Sequence, residues 1–513
     1  VSGYLRRLAT TGAAYTAASI VSKLIAVALL PLYTRYLTTA DYGAAEVMFA
    51  AVVSASIVVR LGTIEALLRF YYKDGEDPAR VVSTSFAALF WLATGAALIA
   101  LPFAGPISEA LLNESAPDLA RISIGGLWVL TMFEFLLTLF RLEERARAYF
   151  VTTLLSVLAA IGLTVILVVG RDEGARGLLL GSYASGAVFV LGLIWVHRRR
   201  LSLRFERPLL RRLMRFGLPT MPAELSLYGL NFVDRIIIVH VAGLAEAGLY
   251  SLGVKFAQGV NVLVRGFQLA WPPIAYSIRD DGEARRTYAV VVTLFTAGCA
   301  FVVTGMWLLS RWIVRALAAP EFFGSYEVIG LIATGVTLYA LYMVLVVILG
   351  RTGRTEFNFP ATAAALVANI ALNLALVPSL GIVGAGIALV ASYLVVLALM
   401  YVFTQRLFPV PYEWGRLARV VLVSAAIVGA GEALLPTDGF AGLLARTALW
   451  LLYPLALLAT GFFTPPERHW LARLRNPGEL AARLRALRPA PAGVDGRVPE
   501  TYEAAQLDDD AHL

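Results

Sequence analysis

Of 513 residues, 59% are hydrophobic and 15% are charged, with mean hydropathy +0.74 and net charge +8. Soluble domains carry about a quarter charged residues, so the composition excludes a soluble class and puts the chain in a bilayer. One cysteine, Cys299, excludes an internal disulfide framework and a thiolate metal centre.

Arg6 and Arg7 precede an apolar run that starts near Ala9, passes Lys23 and reaches Pro31 without a small-residue cleavage site. It reads as a retained first span rather than a signal peptide. About 20 apolar residues cross a bilayer, and on that length fourteen spans are expected. Six lie near 10–32, 43–66, 81–103, 122–140, 149–170 and 177–196. Eight follow near 217–240, 247–271, 288–310, 328–350, 360–378, 382–404, 418–435 and 440–463. Basic residues orient them by accumulating on the cytoplasmic side. With both termini inside, 31 of the 43 Lys and Arg fall on the inner side, seven on the outer side and five within spans.

The richest inner loop, HRRRLSLRFERPLLRRLMR at 197–215, divides the chain. It reads as a topology anchor at anionic lipid headgroups, with a partner protein as the alternative. Six spans precede it, so the second half starts on the same side as the first, and the repeat is parallel. The expected fold is an all-α polytopic membrane protein, about 14 transmembrane helices in two parallel-repeat bundles around a central cavity. Its parts are an N-terminal six-helix bundle (1–197), a basic cytoplasmic linker (198–215) and a second six-helix bundle (216–404). Two additional transmembrane helices (405–463) and a basic amphipathic helix with a disordered cytoplasmic tail (464–513) complete it.

The halves share a faint internal repeat. Residues 41–72 overlay 246–277 without a gap, pairing Asp41 with Glu246, Gly43 with Gly248 and Arg60 with Arg265. Each copy lies on the second span of its half. Arg or Lys at mid-membrane costs about 2.5–3.5 kcal/mol, and such residues face protein or a wet cavity. At helical spacing, Glu46, Ser56, Arg60 and Thr63 share one face of the second span, and Lys255, Gln258, Asn261, Arg265 and Gln268 share one of the eighth. Thr220, Glu224, Tyr228, Asn231 and Arg235 form a stripe on the seventh, and Tyr15, Ser19, Ser22 and Lys23 cluster on the first. One reading is a cationic cavity for an anionic substrate, lined by Arg60, Arg265, Lys255, Lys23, Arg235, Asn261 and Gln258. The other is structural: Glu224 or Asp234 pairs with a neighbouring arginine, or Lys23 and Arg235 snorkel to an interface. Asp234, Glu224 and Glu65 are the candidates for coupling to protons or sodium, against the same structural alternative. Glu134 and Glu432 are further acids within spans, and Asn369 and Asn373 read as cross-helix hydrogen-bonding groups.

Enzyme chemistry finds no support. None of the three lysines follows a glycine, which rules out a Walker A loop, and the four histidines have no metal spacing. No nucleophile motif or large outer loop is present. The pattern is that of a transporter without cofactor or metal.

Three stretches then carry a resemblance: PLYTRYLTTADYGAAEVMFA at 31–50, FGLPTMPAELSLYGLNFVDRIIIVHVAGLAEAGLYSLGVKFA at 216–257 and NLALVPSLGIVGAGIALVASY at 373–393. In order and spacing they resemble the multidrug/oligosaccharidyl-lipid/polysaccharide exporter superfamily, in its polysaccharide transporter branch. The resemblance implies a flippase for O-antigen or capsule repeat units that moves a polyprenyl-pyrophosphate-linked oligosaccharide from inner to outer leaflet by alternating access. The implied setting is a bacterial inner membrane, with membrane lipids and a polysaccharide polymerase or other glycan assembly proteins as partners and no nucleic acid. Arginine suits the pyrophosphate because its fork binds phosphate oxygens bidentately. A peptidoglycan lipid-precursor flippase and a multidrug/toxin antiporter are the related alternatives. A membrane glycan polymerase or ligase is the alternative of another class.

Overall fold

The computed structural model describes residues 29–72, 77–465 and 467. The first expected span, with Lys23, and the basic C-terminal helix lie outside the described residues. Every regular element described is helical. The first part holds α1 (Leu30–Tyr36), α2 (Thr39–Arg60), α3 (Thr63–Phe70), α4 (Pro78–Ala100), α5 (Ala104–Leu112), α6 (Pro117–Leu142), α7 (Ala146–Arg171) and α8 (Gly174–His197). A linker helix, α9 (Arg207–Gly217), leads into α10 (Met221–Ala242), α11 (Leu244–Ala257), α12 (Val260–Ser277), α13 (Asp281–Leu317), α14 (Tyr326–Thr352) and α15 (Asn358–Leu407). Last come α16 (Trp414–Leu434), α17 (Gly439–Leu451) and α18 (Tyr453–Ala459). The described residues up to 456 form one compact unit and those from 457 onward belong to another. Within the second, the Thr464 N–H donates to Glu467 at 2.8 Å.

Ten of the described helices are long and apolar enough to cross a membrane, or eleven if the pair Arg207–Leu230 and Phe232–Ala242, bent by 42°, counts as one span. The difference from fourteen has visible causes. The first expected span is not described. The spans expected at 360–378 and 382–404 run together as α15, bent at Gly381 (φ 55°, ψ −136°). The span expected at 247–271 is split into α11 and α12, the first of 14 residues and the second of 18.

Local chemistry explains the borders that matter. Thr38 caps α2 by accepting from the Asp41 N–H at 3.1 Å, and Asp41 completes the box by reaching back to the Thr38 backbone. The same carboxylate accepts from the Ala175 N–H at 3.4 Å, tying α2 to the start of α8. At its other end α2 stops because Leu61 (φ 47°) and Gly62 (φ 69°) are left-handed. Gly62 is required twice over, since a Cβ there would fall 2.0 Å from the Gly217 carbonyl oxygen.

The halves meet along α2, which packs on α6 within its own half and on α10 and α11 of the other. Gly43 and Gly248, the pair matched by the repeat, touch each other. A Cβ on Gly43 would lie 2.1 Å from Leu244 O, and one on Gly248 2.0 Å from Thr39 O. Such reciprocal contact is the signature of an isologous interface. Leu230, Ile238, Val47 and Leu252 belong to one buried core that crosses this seam. A second core lies within the first half, where Ile64, Phe70 and Leu136 receive Leu209 and Leu213 of α9. The linker helix is thus docked by its apolar face on α3, while Arg207, Arg211 and Arg215, one turn apart, are exposed.

Candidate functional site

Arg60 ends α2, where the chain turns at Gly62. Its Nη1 lies 2.6 Å from Glu134 Oε2 on α6, and its Nη2 lies 3.2 Å from Glu224 Oε1 on α10. Its Nε donates to the Ser56 carbonyl at 3.3 Å. The Arg60 side chain is 12% exposed, against 36% for Glu134 and 41% for Glu224, so these are half-sheltered pairs. Glu65, one turn beyond the break, is close enough to interact electrostatically with both glutamates. The neighbourhood therefore holds Glu65, Glu134 and Glu224 around one guanidinium. It is acidic, and the Arg60–Glu224 pair joins the two halves.

Lys255 makes the second bridge between halves. Its Nζ on α11 lies 2.9 Å from Glu46 Oε1 on α2, and Glu46 is buried. The pair lines a cavity of about 300 Å³ whose walls include Tyr33, Tyr42, Thr164 and Ser182.

Arg265 is placed differently. It lies in the second turn of α12, which packs on α13 and α14, and its side chain is exposed. Its Nη1 donates to Gln268 Oε1 at 3.4 Å, and among the described residues it enters no ion pair. Gln258 and Asn261 flank the break between α11 and α12, both half-buried, with the Asn261 N–H donating to the Gln258 carbonyl at 2.9 Å.

Asp234 and Arg235 form a third group, wholly buried. Asp234 accepts from Tyr250 Oη at 2.7 Å and from Asn373 Nδ2 at 2.7 Å, while Arg235 Nε donates to Ser251 Oγ at 3.0 Å. Asn373 Nδ2 also donates to the Asn369 carbonyl at 2.9 Å. The network ties α10 to α11 and α15.

Of the residues singled out in the sequence, the structure gathers Arg60, Glu224 and Glu65 at one place. It sets Lys255 beside Glu46, keeps Arg265 with Gln268, and buries Asp234 and Arg235. Lys23 and the Asn231 side chain lie outside the described residues. Glu134 is the group that the sequence underrated. Its signal was only a carboxylate inside a span, and its partner is 74 positions away. Among the described residues no group of three or more His, Cys, Asp or Glu is arranged to hold a metal ion.

Comparison with known proteins adds an independent line. A family described as polysaccharide biosynthesis protein matches residues 32–297. The succinoglycan biosynthesis transport protein ExoT of Rhizobium meliloti is 25% identical over 313 residues, 59% of this chain and 61% of that protein. The chain thus spans about three fifths of that relative. A protein of the Lsg locus of Haemophilus influenzae is 22% identical over 389 residues, 72% of this chain and 93% of the relative. Among solved structures, the lipid II flippase MurJ in an inward closed conformation superimposes with TM-score 0.68 at 12% identity, over 88% of this chain and 98% of that one. An inward-facing MATE family multidrug resistance transporter gives 0.61 at 16% identity, over 78% and 95%. At these identities the likeness is one of fold.

Proposed function

Since the chain belongs to the polysaccharide biosynthesis protein family, we propose that it is a flippase for a polyprenyl-pyrophosphate-linked oligosaccharide, carried from the inner to the outer leaflet by alternating access. The observation that carries the reading is Arg265, an exposed guanidinium within the span expected at 247–271, whose hydrogen-bond partner is neutral Gln268. In hydrocarbon such a charge is costly, whereas in a wet cavity it awaits an anion. A pyrophosphate meets it with charge-assisted, bidentate bonds.

Among the described residues, the other cations in the spans are engaged in this conformation. Arg60 is held by Glu134 and Glu224, and Lys255 by Glu46. Both bridges cross the seam that must part if one bundle rocks against the other. Glu65, Glu134 and Glu224 are the acids we assign to proton coupling, because a proton arriving there competes with Arg60 for the carboxylates. Asp234, fully hydrogen-bonded and buried, serves the second bundle as a rigid anchor or a slower coupling group. The setting is the bacterial cytoplasmic membrane with both termini inside, and glycan assembly proteins are the partners in reach.

The test is leaflet exchange of a fluorescent polyprenyl-pyrophosphate oligosaccharide in vesicles containing the purified protein. Wild type is expected to flip it, and Arg265→Ala, folded and inserted, is expected to fail. Normal flipping by that variant overturns the anion site, and movement of an organic cation in place of the lipid overturns the cargo.

A further inference from the structure

We propose that the cavity between Arg35 and Arg315 is a second anion site, which takes a lipid-borne phosphate or pyrophosphate group on the side expected to be outer and joins the two halves through it. This goes beyond the flippase reading, because α1 and α13 carry none of the described groups assigned to transport. The cavity measures about 550 Å³, within the range of about 300–1,000 Å³ for small-molecule pockets. Arg35 reaches it from α1 in the first half. Val314 and Arg315 line it from the end of α13, and Ala318, Ala319 and Phe323 from the segment leading to α14, all in the second half. The halves touch here. The Ala319 N–H donates to Thr34 Oγ1 at 3.0 Å, and Tyr42 stands edge-on to Phe322 with 5.8 Å between ring centroids.

The pointer to an anion is charge without counter-charge. Seven basic residues fall on the side expected to be outer, where they are scarce: Arg35, Arg121, Arg171, Arg176, Arg311, Arg315 and Arg446. Four of them have acids. Arg121 pairs with Asp118, Arg176 with Glu173, and Arg311 and Arg446 with Glu432. Arg35, Arg171 and Arg315 enter no ion pair among the described residues, and two of these three share this cavity. Both are exposed. The Arg315 guanidinium lies 4.6 Å from the centre of the Phe323 ring, a contact that steadies the charge without neutralising it. Each arginine sits in the last turn of its helix, where the macrodipole favours a cation. That accounts for either charge alone, and not for two converging on one cavity. The acids nearest in sequence do not compensate them. Asp41 is engaged by Thr38 and by the Ala175 N–H, and Glu321 enters no ion pair among the described residues.

Charge then selects the ligand. Two guanidiniums offer donors and no acceptor, which repels a cation and gives a neutral sugar nothing to donate to. A phosphate accepts from both forks at once. Phospholipid headgroups and a pyrophosphate-linked carrier both present that group at the membrane surface. Once bound, the anion is held by an arginine of each half, so α1 and the end of α13 part only by giving up one of the two contacts. Occupancy therefore favours the conformation in which they are together.

The experiment places a thiol in the cavity wall with Ala318→Cys, in the full-length chain whose one native cysteine is buried, and follows its reaction with a maleimide. In maltoside micelles, which carry no phosphate, inorganic pyrophosphate at ten times its Kd is expected to slow the reaction about tenfold, as the empty fraction falls. Sodium chloride at equal ionic strength should not slow it. Arg35→Gln and Arg315→Gln should each need about 10- to 100-fold more pyrophosphate, as the loss of a charge-assisted contact implies. Arg265→Ala should protect as before. Phosphatidylglycerol nanodiscs separate the sources. Slow reaction there without pyrophosphate, restored by Arg35→Gln, assigns the site to a phospholipid headgroup, whereas protection that still requires pyrophosphate assigns it to the carrier. Absence of protection in both settings, equal protection by chloride, or undiminished protection in both arginine variants overturns the site. Arginine-dependent protection in a protein that flips no lipid overturns the flippase reading and leaves the site standing.

Discussion

Arg60 and Arg265 are matched by the internal repeat, and the two halves use them differently. In the first half the helix breaks at Leu61 and Gly62, just after the arginine. In the second it breaks at Gln258 and Gly259, before it. The shift moves Arg60 to a helix end within reach of α6 and α10, where Glu134 and Glu224 hold it, and leaves Arg265 inside α12 with Gln268. Gly43 and Gly248 show the opposite behaviour. They remain equivalent and touch across the seam. The packing surface between halves has kept its symmetry while the charges beside it have diverged, which is what a shared hinge serving two different jobs requires.

The largest effect expected from breaking this contrast is at the unpaired arginine. Arg265→Ala should lower flipping by about 10- to 100-fold, the loss of a charge-assisted contact to phosphate, with membrane abundance unchanged. Arg265→Lys should recover part of the rate, because it restores the charge without the fork. Equal loss of abundance and rate in Arg265→Ala would make it a structural residue. Next comes the symmetric part. Gly43→Val places a side chain where even a Cβ lies 2.1 Å from the Leu244 carbonyl oxygen. The ends of α2 and α11 near Gly43 should be forced apart, and transport should fall, by less than in Arg265→Ala, in a protein that still inserts. Thiol accessibility of Thr39→Cys, in a chain whose one native cysteine is buried, should rise in Gly43→Val. Unchanged accessibility means that the contact is incidental.

Much of this was legible before any coordinates. Long apolar runs define the helices because a bilayer leaves few other solutions for the backbone. The repeat, faint as it is, picked out Gly43 and Gly248, since close approach of two backbones tolerates only glycine. The pairing of charges was not legible. Arg60 meets Glu134 and Glu224 at separations of 74 and 164 residues, and no periodicity in one helix reports which neighbour lies opposite. The break at Gly259 was hidden as well, because an apolar run reads the same whether its helix is continuous or interrupted. The cluster expected as a cationic wall therefore contains an acidic neighbourhood.

A middle-sized effect separates a held charge from a free one. Arg60→Gln leaves Glu134 and Glu224 facing each other without their cation. An uncompensated, fully buried carboxylate costs about 3–5 kcal/mol, and the partial exposure of both side chains reduces this to about 1–2 kcal/mol. Thermal stability in detergent should fall in Arg60→Gln and largely return in Arg60→Gln combined with Glu224→Gln. If the single variant is as stable as wild type, the triad is not held together by Arg60, and the contrast with Arg265 disappears.

The smallest effect tests whether shelter, rather than pairing alone, makes the Arg60 triad matter. Arg80, at the start of α4, pairs with Glu206 ahead of the linker helix, and both side chains are largely exposed. The hydrogen bond from Arg80 holds the Glu206 carboxyl below its usual range. A carboxylate whose pKa is lower in the folded state adds stability above its unfolded pKa of about 4.3, and loses it as pH falls through the folded value. Water and salt screen an exposed pair of this kind. Arg80→Gln should therefore leave abundance and transport at neutral pH unchanged, and bring acid unfolding to a slightly higher pH. A loss at neutral pH as large as that of Arg60→Gln would show that any carboxylate–arginine pair on this scaffold is structural, and that burial between α2, α6 and α10 adds nothing specific.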